Sequence, residues 1–142
     1  MSVDFDLLLA KASSVRKHLD RVSEKCDVSV EAFLKDIDRQ EIVLFNLQMA
    51  VQNCVDIAAH IISEKGFGVA GSTNEMFYLL EENGYIETEL TEKMVRAVGF
   101  RNLIVHEYAR VEMKEVFEVA HKDVEDLNEY LKCILTRLGI TQ

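Results

Sequence analysis

The chain has 142 residues and a formal net charge of −9 at pH 7. This length fits one domain with its own core, so we expect a single domain over residues 1–142. The acidic charge argues against a general nucleic-acid coat protein, because phosphate neutralisation supplies most non-specific affinity. We expect no DNA ligand. The chain has no proline and 49% hydrophobic residues, which predicts long helices rather than disorder.

The composition also bears on location. No stretch approaches the roughly 20 apolar residues of a membrane span. The N-terminal residues, with Asp4 and Asp6 flanking Phe5, lack a basic segment before an apolar run. We therefore expect a cytoplasmic protein without membrane contact. The cysteines are odd in number and lack metal-type spacing, which predicts reduced, mostly buried thiols at Cys26, Cys54 and Cys133.

The first half of the chain predicts three helices. Residues 3–25 carry an apolar stripe at alternating spacings of four and three, which is typical of an amphipathic helix: Leu8, Ala12, Val15, Leu19 and Val22. Ser29 is the predicted N-cap of a second helix that begins at Val30. Residues 42–64 are apolar on more than one side, so this third helix is predicted to be central and the most buried.

Glycines separate the central helix from a short one. Gly66, Gly68 and Gly71 predict a loop. Ser72 and Glu75 match a capping box for a helix through residue 80, which Gly84 is expected to end.

Two further helices complete the predicted fold. Thr88 is the expected N-cap of a helix from about Glu89 to Tyr108, and Gly99 inside it suggests a close backbone approach or a small kink. Residues 112–138 predict one last amphipathic helix. No strand-like alternation appears, so we predict an all-α, antiparallel helical bundle of four or five main helices.

Residues 101–108 place Arg101, Asn102, His106 and Tyr108 on an otherwise apolar helix. Burying such groups without partners costs roughly 2–7 kcal/mol each, so the helix faces either a polar network or a substrate. At about 100° per residue, Asn102 and His106 lie about 40° apart and Arg101 and Tyr108 about 20° apart. Arg101 and His106 are about 140° apart, so a joint site requires a long reach of the arginine, a distortion near Gly99, or a second copy of the helix in a two-fold dimer.

These residue types suit RNA cleavage without a metal. The pKa of histidine lies near neutrality, so His106 can take the proton of the ribose 2′-hydroxyl. Arg101 can donate to phosphate oxygens in pairs and keeps its charge, and Asn102 can orient the imidazole or a phosphate oxygen. Four cations and one acid in residues 93–110 further favour a focused anionic ligand: Lys93, Arg96, Arg101 and Arg110, against Glu107.

Two structural alternatives remain open on the residues alone. The same four side chains can form a buried Arg–Tyr–Asn–His network that fixes helix register or a dimer interface. The chain can also be a purely structural four-helix bundle. A lone R-x4-H string is a weak signal, because long helices produce it by chance.

The segment Arg101-Asn102-Leu103-Ile104-Val105-His106-Glu107-Tyr108 resembles the R-x4-H-x-Y signature of HepT-type toxins in the HEPN superfamily. Residues 33–36, 55–62 and 98–100 also resemble that family, so the likeness covers nearly the full chain. The resemblance implies an all-helical homodimer with the motif helices at its interface. It also implies a metal-independent endoribonuclease that cuts RNA by 2′-hydroxyl attack, with Arg101 and His106 catalytic and Asn102 as the polar neighbour.

The same resemblance implies a partner and a means of inhibition. HepT-type toxins belong to type VII toxin–antitoxin systems, in which an MntA-type minimal nucleotidyltransferase antitoxin adds AMP to the motif tyrosine. That residue here is Tyr108. The alternative within this system is a non-catalytic helical subunit that binds substrate for a nucleotidyltransferase.

The other polar pairs give weaker indications. Asp56 and His60 are one helical turn apart and can share a ligand, although a satisfied core histidine is the more common case. Glu118 and His121 form one E-x-x-H unit without the second that a di-metal bundle uses. The glycines of residues 66–71 lack a Walker-type Lys-Ser/Thr. We therefore expect neither a metal site nor a bound cofactor.

Overall fold

The chain folds into seven α-helices and one short 3-10 turn, seen in a computed structural model that describes residues 2–140. The helices are α1 (Phe5–Lys25), α2 (Val30–Leu34), α3 (Ile37–Lys65), α4 (Thr73–Glu82), α5 (Thr88–His106), α6 (Met113–Lys122) and α7 (Val124–Arg137), and the 3-10 turn covers Tyr108–Arg110. No strand occurs within residues 2–140. The predicted all-α fold class is confirmed.

Helices α1 and α3 run antiparallel, and polar contacts join them along their length. In order along α1 these are Asp4 N–H to His60 Nε2, Lys11 Nζ to Asp56 Oδ2, Asn53 Nδ2 to Ser14 Oγ, His18 Nδ1 with Asn46 Oδ1, and Arg39 Nη1 to the Lys25 carbonyl, at 2.8–3.0 Å. Residue numbers rise on α1 as they fall on α3. The apolar stripe of α1 is buried between these contacts, as the spacing predicted.

Helix α3 is the centre of the fold. Fourteen of its 29 residues are buried, more than in any other helix, and all six other helices contact it. It begins at Ile37 rather than near residue 42, because the Asp36 side chain accepts a hydrogen bond from the Arg39 N–H at 3.1 Å and caps the helix. Gly66, with φ 68°, ends it in the left-handed conformation.

The expectation that no segment suits a membrane span on composition is wrong for α3. Among the described residues, this one helix is long and apolar enough to cross a membrane. Within the fold, however, 61% of its most apolar window is buried against other helices. A core helix passes the same test of length and composition, so the apolar character of α3 is accounted for by packing.

The core consists of two clusters of buried side chains. The first joins α1, α3, α4, α5 and α7 and includes Phe77, Met94 and Tyr130. The second joins α2 and α6 to the adjoining ends of α1, α3 and α5, and includes Phe33 and Val116. The prediction of one continuous last helix is wrong, because the helix is interrupted at Asp123. The interruption lets α6 face the second cluster while α7 faces the first.

The structure tests the predicted helix caps. The hydroxyls of Ser29 and Ser72 accept hydrogen bonds from the N–H groups of Ala32 and Glu75, so both predicted caps are confirmed. The Glu75 carboxylate accepts from the Gly71 N–H rather than from Ser72, so the box is shifted by one residue.

Thr88 is not the cap of α5, because the helix begins at Thr88 itself and follows Glu87. The Thr88 hydroxyl donates instead to Glu81 Oε2 at 3.2 Å. A contact with α4 therefore takes the side chain away from the capping position.

The three cysteines are free thiols, as predicted. Cys26 and Cys54 are buried and Cys133 is half-buried. Burial raises the pKa of Cys26 from 9.0 to about 11, with Arg39 opposing the rise, and it raises the pKa of Cys54 further. Both buried thiols therefore stay protonated and unreactive at neutral pH.

A buried hydrogen bond in the first cluster gives a stability test. The Tyr130 hydroxyl donates to the Cys54 carbonyl at 3.0 Å, and burial raises the pKa of Tyr130 well above its ordinary value. We expect Tyr130→Phe to lower the free energy of unfolding by about 1 kcal/mol in urea denaturation, because one buried bond is lost. Tyr78→Phe is the control, since Tyr78 is 45% exposed. An equal loss in both variants would contradict a specific role for the bond.

Candidate functional site

The motif spans the end of α5 and the turn that follows. Arg101, Asn102 and His106 lie in the last six residues of the helix, and Tyr108 begins the 3-10 turn. The prediction that α5 continues to Tyr108 is therefore wrong, and the expected alignment of Arg101 with Tyr108 on one helical face does not hold. Residues 105–110 are all exposed, so packing gives this stretch nothing that would extend the helix.

The four motif side chains differ in burial. Arg101 is half-buried, whereas Asn102, His106 and Tyr108 are exposed, Tyr108 by 51%. Asn102 and His106 lie one turn apart on α5, and neither side chain makes a hydrogen bond within the described part of the chain. The buried Arg–Tyr–Asn–His network that fixes helix register is therefore excluded within a single chain. The orienting role predicted for Asn102 stays a prediction.

Arg101 lines a cavity that we name the α5–α7 cleft. It has a volume of about 420 Å³ and lies between α5 and the α6–α7 junction, with Leu47 and Val51 of α3 at its base. Phe100 and Ile104 lie on the same side as Arg101, and Val124 lies opposite. His106 and Tyr108 are outside it, so the structure separates the arginine from the other two residues of the motif.

The Nε atom of Arg101 is buried and has no hydrogen-bond partner within residues 2–140. A buried donor without a partner costs about 1–3 kcal/mol. Such a group in a native structure therefore indicates a ligand, a water molecule or another chain that completes the site.

The cationic excess predicted for residues 93–110 is partly neutralised by the fold. Lys93 Nζ lies 3.4 Å from Glu89 Oε1 and 3.7 Å from Asp126 Oδ1, and Asp126 is the main cause of a raised Lys93 pKa. Arg110 pairs with Glu107 at 3.1 Å. Arg101 makes no ion pair within the described residues.

Arg96 lies across the cleft from acidic residues of the α6–α7 junction. Burial and then Asp126 raise the pKa of Asp123, whereas Arg96 lowers it in part. Lys93 is thus neutralised by ion pairs, whereas Arg101 combines a place in the cleft lining with a buried Nε that has no hydrogen-bond partner within the described residues.

Gly99 makes no close contact within the described chain. A Cβ built there would meet no atom within 4 Å, and α5 continues through the glycine as one helix. The expected close backbone approach is therefore not found within one chain. Gly99 is exposed, so α5 has an uncovered face beside the motif.

The other candidate sites have local partners. His60 Nε2 accepts a hydrogen bond from the Asp4 N–H, while Asp56 pairs with Lys11 and accepts from Gln52, so both side chains have partners within the described residues. His121 is exposed and its ring contacts the Phe117 carbonyl at 2.8 Å. Among the described residues, no group of three or more His, Cys, Asp or Glu side chains is placed to hold a metal.

The cleft itself was missed from the sequence. Most of its α5 wall follows a helical spacing that the sequence does contain, at Lys93, Arg96, Ala97, Phe100, Arg101 and Ile104, and Gly99 and Leu103 line the cleft beside that stripe. In the sequence, such spacing is typical of an ordinary core stripe flanked by charged residues. The opposite wall depends on the interruption at Asp123, which the sequence pattern did not reveal.

An all-α bundle that presents an Arg-x4-His-x-Tyr motif at the end of one helix has the features of a HEPN-type ribonuclease. The family model described as ribonuclease HepT-like matches residues 15–134. The chain belongs to the HepT-like ribonuclease family.

Individual relatives agree with this assignment. The chain is 28% identical over 129 residues to an mRNA nuclease HepT of Shewanella oneidensis, covering 91% of this chain and 96% of that one. It is 28% identical over 103 residues to a tRNA nuclease HepT of Aphanizomenon flos-aquae, covering 72% and 70%. The expectation of an endoribonuclease is confirmed.

Solved structures give the same fold. A crystal structure of a toxin–antitoxin with AMP-PNP matches with a TM-score of 0.87 at 27% identity, covering 92% of this chain and 98% of that one. A tri-AMPylated Shewanella oneidensis HEPN toxin in complex with an MNT antitoxin matches with a TM-score of 0.86, also at 27% identity and the same coverage. The predicted resemblance to a nuclease toxin silenced by AMPylation is confirmed at the level of the family.

The unpaired Nε of Arg101 leads to a stability prediction. We expect Arg101→Met to leave the free energy of unfolding unchanged or to raise it by about 1 kcal/mol, because a buried donor without a partner is removed. Arg39→Met is the matched control, since its guanidinium donates to the Lys25 carbonyl and pairs with Asp36. That variant should lose about 1–2 kcal/mol. Urea denaturation measures both, and a larger loss at Arg101 would show that the guanidinium is already satisfied in solution.

Proposed function

We propose that the chain is the toxin of a type VII toxin–antitoxin system and cleaves RNA without a metal ion, using Arg101 and His106. The observation that carries this proposal is the pairing of an exposed His106 with a half-buried Arg101 whose Nε lacks a partner. A free imidazole is available as a base. A guanidinium without an acidic partner is available to a phosphate.

The proposed reaction cleaves one phosphodiester bond of the RNA by transferring its phosphorus from the 5′-oxygen to the neighbouring 2′-oxygen. His106 takes the proton of the 2′-hydroxyl, and the 2′-oxygen forms a bond to phosphorus while the bond to the 5′-oxygen breaks. Water protonates the leaving 5′-oxygen. Arg101 donates to the phosphate oxygens as their negative charge rises, and Asn102 contacts either the imidazole or a phosphate oxygen. The products are a 2′,3′-cyclic phosphate and a 5′-hydroxyl end.

A homodimer is part of the proposal, because Arg101 and His106 diverge by about 140° on one helix. The exposed face of α5 that carries Asn102, His106 and Gly99, which also lines the α5–α7 cleft, is available for a second copy. At Gly99 a partner helix can approach closely, since no atom of the same chain lies within 4 Å of the Cβ position. Two copies then place the arginine of one motif near the histidine of the other.

The proposed inhibition acts through Tyr108. An MntA-type nucleotidyltransferase antitoxin transfers AMP from ATP to its hydroxyl, releasing pyrophosphate. Tyr108 suits this role because it is 51% exposed on a short turn outside the helix, where a second enzyme can reach it. The attached phosphodiester brings negative charge and bulk close to the arginine, which opposes RNA binding.

Residues 1–142 form a single domain, the natural substrate is RNA rather than DNA, and the protein works in the cytoplasm without membrane contact. The net charge of −9 limits general affinity for nucleic acid, so binding is expected to be sensitive to salt and to depend on joining the sites of two copies.

RNA cleavage by the purified, unmodified protein tests the proposed catalytic roles. We expect cleavage that survives EDTA and yields 2′,3′-cyclic phosphate ends. His106→Ala should lower the rate by about 10²–10⁴-fold, the usual contribution of a general base. Arg101→Ala should also abolish most activity, because the phosphate loses its donor.

His121→Ala is the matched control for cleavage, because His121 is likewise exposed but belongs to α6. Its activity should equal that of the unchanged protein. RNA left intact by the unmodified protein would favour the non-catalytic subunit of a nucleotidyltransferase. Normal activity in both His106→Ala and Arg101→Ala would exclude the proposed roles.

Transfer of AMP to Tyr108 can be tested separately from RNA cleavage. After co-expression with the nucleotidyltransferase and ATP, mass spectrometry should detect AMP on Tyr108, and Tyr108→Phe should prevent both the modification and the inhibition. Tyr78→Phe is the control, because Tyr78 is exposed to a similar degree, at 45%. An inhibited complex that carries no AMP on Tyr108 would contradict this mechanism.

A further inference from the structure

The α5–α7 cleft has the size and lining of a small-molecule site. Its volume of about 420 Å³ lies within the range of roughly 300–1,000 Å³ found for ligand pockets. Its lining is mainly apolar, with Phe100 and Ile104 of α5 facing Val124 and Leu127 of the α7 side. An apolar slot beside an aromatic ring suits the flat face of a nucleobase.

The charges around the cleft limit the ligand. Three cations of α5 line it, and three acids of α6 and the α7 side face them: Lys93, Arg96 and Arg101, against Glu115, Asp123 and Asp126. Lys93 forms an ion pair with Asp126, and the positive charge of Arg96 lowers the pKa of Asp123 in part. Arg101 alone combines a place in the lining with a buried donor that has no partner. A ligand with one negative charge fits this balance better than a triphosphate does.

We propose that the α5–α7 cleft binds one nucleotide in phosphodiester linkage, with its base against Phe100 and its phosphate on Arg101. The choice of ligand rests on the proposed function, which supplies two such nucleotides. One is a nucleotide of the RNA chain next to the cut. The other is the AMP attached to Tyr108, which is also a phosphodiester with a single negative charge.

The acidic wall adds a preference among bases. The carboxylates of Glu115 and Asp123 accept hydrogen bonds but donate none when ionised. The exocyclic amino group of adenine gives them two N–H donors, whereas uracil presents a single ring N–H between two carbonyl oxygens that the carboxylates repel. The cleft therefore favours adenine over uracil.

The test is an NMR titration of the purified, unmodified full chain with the methyl esters of adenosine and uridine 5′-monophosphate, each of which carries one negative charge. We expect the adenosine ester to shift the amides of Phe100, Leu103 and Val124, and the uridine ester to bind at least fivefold more weakly. Phe100→Leu keeps an apolar side chain but removes the ring, and should weaken binding of the adenosine ester about tenfold. Phe45→Leu is the control, because Phe45 is an exposed ring outside the cleft, and its binding should not change.

A titration of the Tyr108-AMPylated protein distinguishes the two sources of nucleotide, the RNA chain and the attached AMP. If the Tyr108-AMPylated protein shows the shifted amides already and takes up no further ester, the attached AMP occupies the cleft. If it binds the ester like the unmodified protein, the cleft serves the RNA. Either result supports a nucleotide pocket.

Two results would overturn the pocket. They are cleft amides that do not move when the adenosine ester is added, and equal binding of that ester by Phe100→Leu and Phe45→Leu. RNA cleavage without ester binding overturns the pocket and leaves the nuclease. Ester binding by a protein that cuts no RNA retains the pocket and overturns the nuclease.

Discussion

Helix α3 is apolar over so much of its circumference that the remaining helices have to surround it. All six of them contact it, and α1 is fixed beside it by polar contacts from Asp4 at one end to Lys25 at the other. Hydrophobic burial supplies most of the driving force for this arrangement, whereas the polar contacts fix the direction and register of the helices. The position of α5, and with it the motif, follows from the need to cover one side of α3.

The motif lies where this covering layer ends. Ile104 is the last buried residue of α5, and residues 105–110 that follow it are all exposed. The arginine precedes this point and extends into the cleft, while the histidine and the tyrosine follow it and face solvent. Arg101 is therefore surrounded by other residues of the fold, whereas His106 and Tyr108 can be approached by a large substrate or by another protein.

The sequence was sufficient for what depends on local pattern. The stripe of Leu8 and Val15, the caps at Ser29 and Ser72, and the buried character of residues 42–62 all follow from spacing and side-chain type, and the structure confirms them. The motif was also visible, because polar groups on an apolar helix are conspicuous. The family resemblance gave a role to each of them.

Features that depend on contacts between distant residues were not predicted. Thr88 carries the residue type of a cap, but Glu81 of another helix binds its hydroxyl. Lys93 contributes to a local excess of positive charge until Asp126, 33 positions later, is brought against it. The interruption at Asp123 reflects two clusters that pull α6 and α7 to different sides, which no single helix pattern encodes.

The short turn of Tyr108–Arg110 contributes almost nothing to the core, since each of its residues is exposed. Substitutions there should alter the free energy of folding very little, so this stretch can diverge while the bundle stays intact. If Tyr108 is the modified residue, as proposed, its recognition by a partner enzyme can therefore change over generations independently of stability. A toxin built in this way can become specific for its own antitoxin, and cease to be recognised by that of a neighbouring system, through a few surface replacements.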